Sequence, residues 1–244
     1  MKLDPGGVAL VTGASSGIGR ALSLALARRG LHVAALARSD GRLKELASEA
    51  GRIGPECLPL PCDVRDPDAV ESAVEQAVAR FGRLDLVVNN AGFGSYIPFA
   101  HADLEDLRAL MELNYFGAVQ VTRAALPKLV ERKRGHLVFV ASIAGRIPPA
   151  RHSGYAATKS ALIGFAESLA LELSADGIGV TIVNPGVVAT EFFDRPSFAD
   201  FPPALRRRPL SPERVAQATL RAVEREQLAR IFTAIAAYDE SDHG

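Results

Sequence analysis

Residues 8–19 read VALVTGASSGIG, a short apolar run followed by a loop that contains Gly13, Gly17 and Gly19. A helix-period stretch begins directly after this loop, at residue 20. Glycines in a loop between a strand and a helix let backbone N–H groups approach a pyrophosphate closely. The spacing is G-x-x-x-G-x-G, not the G-x-G-x-x-G of the commonest dinucleotide fingerprint. The position of the loop nevertheless favours a nucleotide cradle over a plain structural turn.

The rest of the chain repeats this alternation of short apolar runs and longer helix-period stretches. Such a pattern predicts a parallel sheet with right-handed crossovers, because parallel strands are joined through helices. We therefore expect an α/β fold of the Rossmann type: a doubly wound parallel sheet with helices on both faces, in three α/β/α layers. The predicted strands are 8–11, 32–37, 57–62, 84–88, 137–141 and 180–183, with a last apolar run at 229–236. The predicted helices are 20–29, 42–50, 67–81, 104–129, 155–173 and 211–225.

Composition sets broad limits on what the protein can be. The 244 residues are 48% hydrophobic and 23% charged, which is ordinary for a globular protein and excludes a disordered chain. Lys and Arg together number 28, as do Asp and Glu, so charge gives no support for a nucleic-acid partner. No apolar run approaches the ~18 residues of a membrane helix, and no targeting segment is visible. We expect one domain over residues 1–244, in the cytoplasm, with Cys57 and Cys62 packed as reduced thiols.

Polar residues and glycines follow each predicted strand. In an open parallel sheet, ligands bind beyond the carboxyl ends of the strands, so these residues converge on one rim. They are residues 12–19, Arg38 and Ser39, Asp63, residues 89–92, Ser142, and residues 184–186.

Tyr155 and Lys159 are four residues apart and therefore share one face of a helix. A nearby ammonium favours the phenolate, so we expect Lys159 to lower the pKa of Tyr155 from about 10. A tyrosine with a lowered pKa can act as a general acid or base near neutral pH. Ser142, thirteen residues before Tyr155, ends a predicted strand and is placed to bind a substrate oxygen.

Taken together, these motifs resemble the short-chain dehydrogenase/reductase superfamily in its compact single-domain form. The resemblance rests on TGASSGIG at 12–19, NNAG at 89–92, Asn114, Ser142, YAATK at 155–159, NPG at 184–186 and Thr190. It runs over about three-quarters of the chain, with the motifs in the family's order and spacing.

The resemblance implies a role for each matching position. Tyr155 would be the catalytic acid/base, Ser142 the residue that orients the carbonyl or hydroxyl, and Lys159 the residue that holds the nicotinamide ribose. The backbone of Asn114 would hold a proton-relay water. The implied cofactor-binding residues are Gly13, Ser15, Ser16, Gly17, Ile18, Gly19, Arg38, Asp63, Val64, Asn90, Ala91, Gly92, Tyr155, Lys159, Pro185, Gly186, Val188 and Thr190.

The choice between NAD and NADP depends on the residues after the second strand. An NAD site places an acid there for the ribose 2′-OH, whereas an NADP site uses an arginine for the 2′-phosphate. The family's acidic position is Ala37, and Arg38 follows it. Asp40 is expected to cap the next helix. We therefore expect NADP(H) to be favoured over NAD(H), although Ser16 stands where some NADP-binding relatives carry a second base.

Residues 191–210 form the least regular segment, which we define as the flap. It contains Phe192, Phe193, Phe198 and Phe201, and no helix or strand pattern places them in the core. The flap is expected to be mobile and to close over an apolar substrate, with a subunit contact as the alternative.

The family also implies a homo-dimer or homo-tetramer. The histidines show no metal spacing, so no metal is expected, and His152 is expected to be a solvated loop residue rather than part of the site mouth.

The favoured function is an NADP(H)-dependent carbonyl reductase or alcohol dehydrogenase acting on a small apolar molecule. Two alternatives stay open: a catalytically silent NAD(P)-binding regulatory protein of the same fold, and an epimerase or dehydratase that uses the same cofactor.

Overall fold

Six parallel strands form one continuous sheet at the centre of the computed structural model, which describes residues 1–225. The strands are β1 (Val8–Thr12), β2 (His32–Ala37), β3 (Cys57–Pro61), β4 (Leu86–Asn89), β5 (Gly135–Val140) and β6 (Ile178–Val183). Their order across the sheet is β3-β2-β1-β4-β5-β6. The order reverses between β1 and β4, which is the point where doubly wound folds open a crevice for a ligand.

Helices cover both faces of this sheet. They are α1 (Gly17–Ala27), α2 (Asp40–Ala50), α3 (Pro67–Phe81), α4 (Leu104–Met111), α5 (Gly117–Val130), α6 (Ser153–Glu172) and α7 (Pro212–Glu224). Helices α1, α2 and α7 pack on one face, and α3, α5 and α6 pack on the other. The predicted three-layer α/β/α architecture is confirmed.

Two hydrophobic clusters lie on opposite faces of the sheet. Along β1, Leu10 belongs to one cluster, and its neighbours Ala9 and Val11 belong to the other. All three side chains are buried, because a strand with helices on both sides has no solvated face. This double burial explains why the strands are continuous apolar runs in the sequence. Cys57 and Cys62 are free and buried within the same clusters, as expected.

Strand β3 forms despite Pro59 and Pro61 because it lies at the edge of the sheet. A proline cannot donate to a ladder of hydrogen bonds, and it is tolerated where one side of the strand has no neighbour.

The predicted helix over 104–129 is wrong in one respect. A turn of π-helix, Glu112–Phe116, separates α4 from α5, and Asn114 lies within it. A π turn carries one residue more than an α turn, and such turns occur frequently at functional sites. The apolar period continues through the interruption, so the sequence pattern gives no sign of it.

Three short turns of 3₁₀ helix, Glu191–Phe193, Pro196–Phe198 and Pro203–Arg206, make up half of the flap. Although no helix or strand pattern places its aromatic residues in the core, Phe198 and Phe201 are buried and Phe192 and Phe193 are half-buried. The last apolar run, 229–236, lies outside the described residues. None of the helices within residues 1–225 has both the length and the apolar character needed to cross a membrane.

Candidate active site

A cleft of about 1310 Å³ opens beyond the carboxyl ends of the strands, along the point where the strand order reverses. Small-molecule pockets commonly measure ~300–1,000 Å³, so this cleft is large enough for a dinucleotide and a second molecule. One end is formed by the glycine loop and Arg38, and the other end is lined by aromatic side chains of the flap and of neighbouring loops.

Nearly all of the predicted site residues line this single cleft. Those that do are Gly13, Ser15, Ser16, Gly17, Ile18, Arg38, Asp63, Val64, Asn90, Ala91, Gly92, Ser142, Tyr155, Lys159, Pro185, Gly186, Val188 and Thr190. Gly19 and Asn114 do not line it, and both lie directly behind residues that do. Sequence reasoning missed Phe93, Tyr96 and Arg42, which also line the cleft.

Hydrogen bonds between Thr12 and residues 90 and 91 connect the glycine loop to the end of β4. The Thr12 hydroxyl accepts hydrogen bonds from the backbone N–H groups of Asn90 (2.9 Å) and Ala91 (3.0 Å). The Asn90 amide Nδ2 donates in turn to the Thr12 carbonyl at 2.9 Å. A Cβ at Gly19 would stand 2.5 Å from Nδ2 of Asn90 and would also clash with the Gly13 carbonyl oxygen. This network fixes the loop against the opposite half of the sheet.

Helix α1 presents an uncapped N-terminus to the cleft. Ser16 occupies the N-cap position but makes no side-chain capping hydrogen bond, and the first turn holds no acidic residue. The first N–H groups of a helix lack partners within the helix and carry partial positive charge, which suits an anion. Gly13 and Gly17 take positive φ values of +62° and +52°, so the loop bends in a way that favours glycine. The glycine loop and the N-terminus of α1 therefore fit the pyrophosphate of a dinucleotide cofactor.

Beside this loop, Arg38 is exposed at the end of β2, where a dinucleotide would place its adenosine ribose. Asp63 pairs with Arg65 at 2.6 Å, and the pKa of its carboxyl is lowered by Arg65 first and by Arg38 to a smaller extent. Arg42 lines the same end of the cleft and pairs with Glu191 of the flap at 2.6 Å. The expected cap at Asp40 is wrong: Ser39 holds the N-cap position, and Asp40 lies in the first turn, paired with Lys44.

Three polar residues, Ser142, Tyr155 and Lys159, lie together in the middle of the cleft, and all three are buried. Tyr155 hydrogen-bonds to Ser142, and Lys159 donates to the Val140 carbonyl at 2.9 Å. The expectation of a lowered tyrosine pKa is wrong for this structure. Burial raises the pKa of Tyr155 to about 12, against a smaller lowering effect of the Ser142 hydrogen bond. Burial lowers the pKa of Lys159 to about 8. Tyr155 is accordingly a neutral phenol, a proton donor.

Asn114 is fully buried behind these residues. Its Oδ1 accepts from the Phe93 N–H at 2.9 Å, and its Nδ2 donates to the Phe93 carbonyl at 2.9 Å and to the Thr158 hydroxyl at 3.0 Å. The side chain therefore ties the loop after β4 to helix α6, one residue away from Lys159.

The aromatic end of the cleft contains a histidine that the sequence analysis placed in solvent. His152 is buried, with its ring centroid 5.0 Å from that of Tyr96 and 5.6 Å from that of Tyr155. Phe198 and Phe201 of the flap pack against the same ring. Burial lowers the pKa of His152, so the imidazole is neutral at neutral pH. The prediction of a solvated His152 is therefore wrong, and this end of the cleft is apolar.

This fold, with a glycine loop over an uncapped helix and a buried Ser-Tyr-Lys group, defines a dinucleotide-dependent oxidoreductase. A model of the short chain dehydrogenase family matches residues 7–197, and the chain belongs to that family. An uncharacterized oxidoreductase from Myxococcus xanthus is 44% identical over 183 residues, which are 75% of this chain and 72% of that protein. The 11-beta-hydroxysteroid dehydrogenase 1A of Arabidopsis thaliana is 40% identical over 76% of this chain and 53% of its own length.

Solved structures extend the likeness to the whole fold. A short-chain type dehydrogenase/reductase from Mycobacterium marinum superposes with a TM-score of 0.87, at 30% identity, over 94% of this chain and 95% of its own. A short-chain dehydrogenase from Streptomyces avermitilis gives a TM-score of 0.80 at 35% identity, over 92% and 88% of the two chains. The protein is thus an enzyme of the short-chain type, which acts on a CH–OH group or its carbonyl counterpart with NAD(P).

Proposed function

We propose that this short-chain oxidoreductase prefers NADP(H) to NAD(H) and reduces an apolar carbonyl compound. The cofactor preference rests on the chemistry at the end of β2. Arg38 is exposed in the cleft, and the preceding position is Ala37 rather than an acid. A guanidinium matches a phosphate in charge and geometry, whereas an NAD site needs an acid for the ribose 2′-OH.

The proton donor is Tyr155, and its protonation state favours the direction of reduction. When bound, the reduced nicotinamide supplies a hydride to the carbonyl carbon. Tyr155 donates its hydroxyl proton to the oxygen that becomes an alkoxide, and Ser142 holds that oxygen by a hydrogen bond. The phenolate left behind is stabilised by the ammonium of Lys159. Asn114 is a positioning residue, since it holds the Phe93 loop and helix α6 together.

The substrate is proposed to be an apolar ketone or aldehyde because of the walls that surround the reacting group. Phe93, Tyr96, Phe192, Phe193 and Phe201 line the cleft beside Tyr155. The flap supplies three of these rings, and we propose that it closes over the substrate. The Arabidopsis thaliana relative is named for a hydroxysteroid, which is consistent with a bulky alicyclic compound.

A silent regulatory protein of the same fold is the second candidate. It is disfavoured because Ser142 lies in the cleft hydrogen-bonded to Tyr155 and close to Lys159, and cofactor binding alone does not require that serine.

Cofactor preference is tested by fluorescence titration of NADPH and NADH. The unmodified protein is expected to bind NADPH more tightly, and Arg38→Asp is expected to reverse the order. Arg52→Asp is the matched control, since Arg52 is exposed near the end of α2 and does not line the cleft. Equal or tighter NADH binding by the unmodified protein would contradict the preference. A panel of ketones and aldehydes with NADPH then tests turnover.

A further inference from the structure

Arg195 lies at the aromatic end of the cleft, near the start of the flap. Its guanidinium carbon lies 4.2 Å from the centroid of the Phe93 ring. Phe93 itself packs in a cluster with Tyr155 and Phe192, so this arginine borders the space beside the proton donor. It is exposed and lines the cleft.

Two other cationic groups that line the cleft, Arg42 and Lys159, already have partners. Arg42 is paired with Glu191 at 2.6 Å, and the buried Lys159 is bound to the Val140 carbonyl. Arg151, which does not itself line the cleft, stacks 4.9 Å from the Tyr96 centroid and is paired with Asp200 at 2.9 Å. Arg38 lies at the opposite end, beside the glycine loop, where the proposed function assigns it to the cofactor.

Unlike Arg42 and Arg151, Arg195 has no carboxylate partner within residues 1–225. Its neighbour in sequence, Asp194, lines a separate groove together with Arg20, Arg28 and Glu213. Stacking on Phe93 restricts the planar guanidinium and leaves its N–H edge free to bind a carboxylate in two-point fashion. An apolar chamber with one unpaired cation at its border suits a ligand that is apolar along its length and anionic at one end.

We propose that Arg195 is a specificity-determining residue. The substrate would be an apolar oxo acid, that is, a carbonyl compound that also carries a carboxylate, and its reduced product would be the corresponding hydroxy acid. The carbonyl would lie against Ser142 and Tyr155, and the carboxylate would bind the guanidinium of Arg195. This inference rests on the proposed carbonyl reduction, and it names the substrate class for that site.

The test compares benzoylpropanoate, an aryl ketone with a terminal carboxylate, with its methyl ester. The unmodified protein is expected to show a higher kcat/KM with NADPH for the acid. Arg195→Leu, which keeps the bulk over Phe93 but removes the charge, is expected to lower kcat/KM for the acid by about three- to tenfold, as a partly exposed ion pair allows. The value for the ester should stay unchanged, and Arg195→Lys should retain part of the preference.

Arg208→Leu is the matched control, because Arg208 is an exposed flap arginine that does not line the cleft. Affinity for NADPH should be the same in all four proteins. An unchanged acid-to-ester ratio in Arg195→Leu would overturn the proposal. A loss of NADPH affinity in that variant would overturn it too, since Arg195 would then serve the cofactor.

A binding measurement separates this proposal from the proposed function. Titration calorimetry of NADP-loaded protein with phenylbutanoate and with phenylbutanamide needs no turnover. If the acid binds more tightly than the amide, and Arg195→Leu loses this difference, the anion site is supported. This holds even if neither ketone is reduced, because that result would overturn only the proposed reaction. Equal binding of acid and amide overturns the anion site, whether or not ketones are reduced.

Discussion

The ammonium nitrogen of Lys159 lies 5.9 Å from the centroid of the Tyr155 ring, one turn further along the same helix. Both side chains are buried, and burial acts on them in opposite directions: it raises the pKa of the phenol to about 12 and lowers that of the ammonium to about 8. At neutral pH the pair is therefore a neutral phenol beside a positive charge. This arrangement is ready to give up a proton and to stabilise the anion that remains.

The rate of carbonyl reduction should depend on the charge of Lys159. Because the pKa of Lys159 is lowered to about 8, the ammonium is fully charged below that pH and loses its proton above it. At saturating NADPH, kcat/KM for a ketone should be level at neutral pH and fall about tenfold per pH unit above the break. Lys44→Gln, an exposed lysine variant, should keep the break. A profile that stays level into strongly alkaline solution would contradict the role of Lys159.

The glycine loop should not tolerate a methyl group at residue 19. Gly19→Ala would drive a Cβ into the Gly13 carbonyl and the Asn90 amide, and the backbone there cannot move without breaking the Thr12 network. We expect loss of measurable NADPH binding and a lower Tm. Gly164→Ala is the control, because a Cβ at that helical position meets nothing within 4 Å. That variant should bind NADPH normally and gain about 0.5–1 kcal/mol in stability. Normal NADPH binding by Gly19→Ala would show that the loop is not fixed as described.

Acid should destabilise the protein partly through His152. Its pKa in the folded state is lowered by burial, so the unfolded chain binds a proton more readily. The stabilisation is fully present above the unfolded value of about 6.5 and is lost as the pH falls from there through the lower folded value. His152→Phe keeps an aromatic ring and removes the titration, so its Tm should fall less in mild acid. His101→Gln, at an exposed position, should behave like the unmodified protein. An equal acid sensitivity in His152→Phe and the unmodified protein would refute this explanation.

The flap should discriminate substrates by size. Phe193 lines the cleft, and its ring packs against Phe198 and Phe201 with centroids 5.1 Å and 5.0 Å away. Phe193→Ala is expected to raise KM for bulky apolar ketones more than for small ones, with the oligomer mass unchanged. A change in oligomer mass with the same ranking of substrates would instead assign the flap to a subunit contact.

The sequence was sufficient to place the cleft, because the carboxyl ends of parallel strands must share one edge of the sheet. Thr12 ends one strand, Asn90 and Ser142 follow two others, and that rule alone brings them together. The interruption of the helix at Asn114 was not predictable, since the apolar period continues through Glu112–Phe116 and the contact that Asn114 makes with Phe93 is long-range in sequence.

The burial of His152 and the position of Arg195 in the cleft could not be predicted from the sequence, for a related reason. Both depend on flap residues, and the flap has no period from which a buried face could be identified. Phe198 and Phe201 cover His152 because loops far apart in the chain meet at the same rim. The pKa of Tyr155 was missed because i,i+4 spacing predicts only proximity to Lys159, whereas the degree of burial decides the direction of the shift.

The central claim is that Tyr155 transfers the proton in an NADPH-dependent reduction, and Tyr155→Phe tests it most directly. This change removes one hydroxyl, so it should lower kcat by about 10²- to 10⁴-fold while NADPH binds with nearly unchanged affinity. Tyr115→Phe is the control, because Tyr115 packs against Phe116 and Phe165 away from the cleft, and it should keep full activity. If Tyr155→Phe reduces the same ketone at a rate close to that of the unmodified protein, the proton comes from another group and the account is wrong.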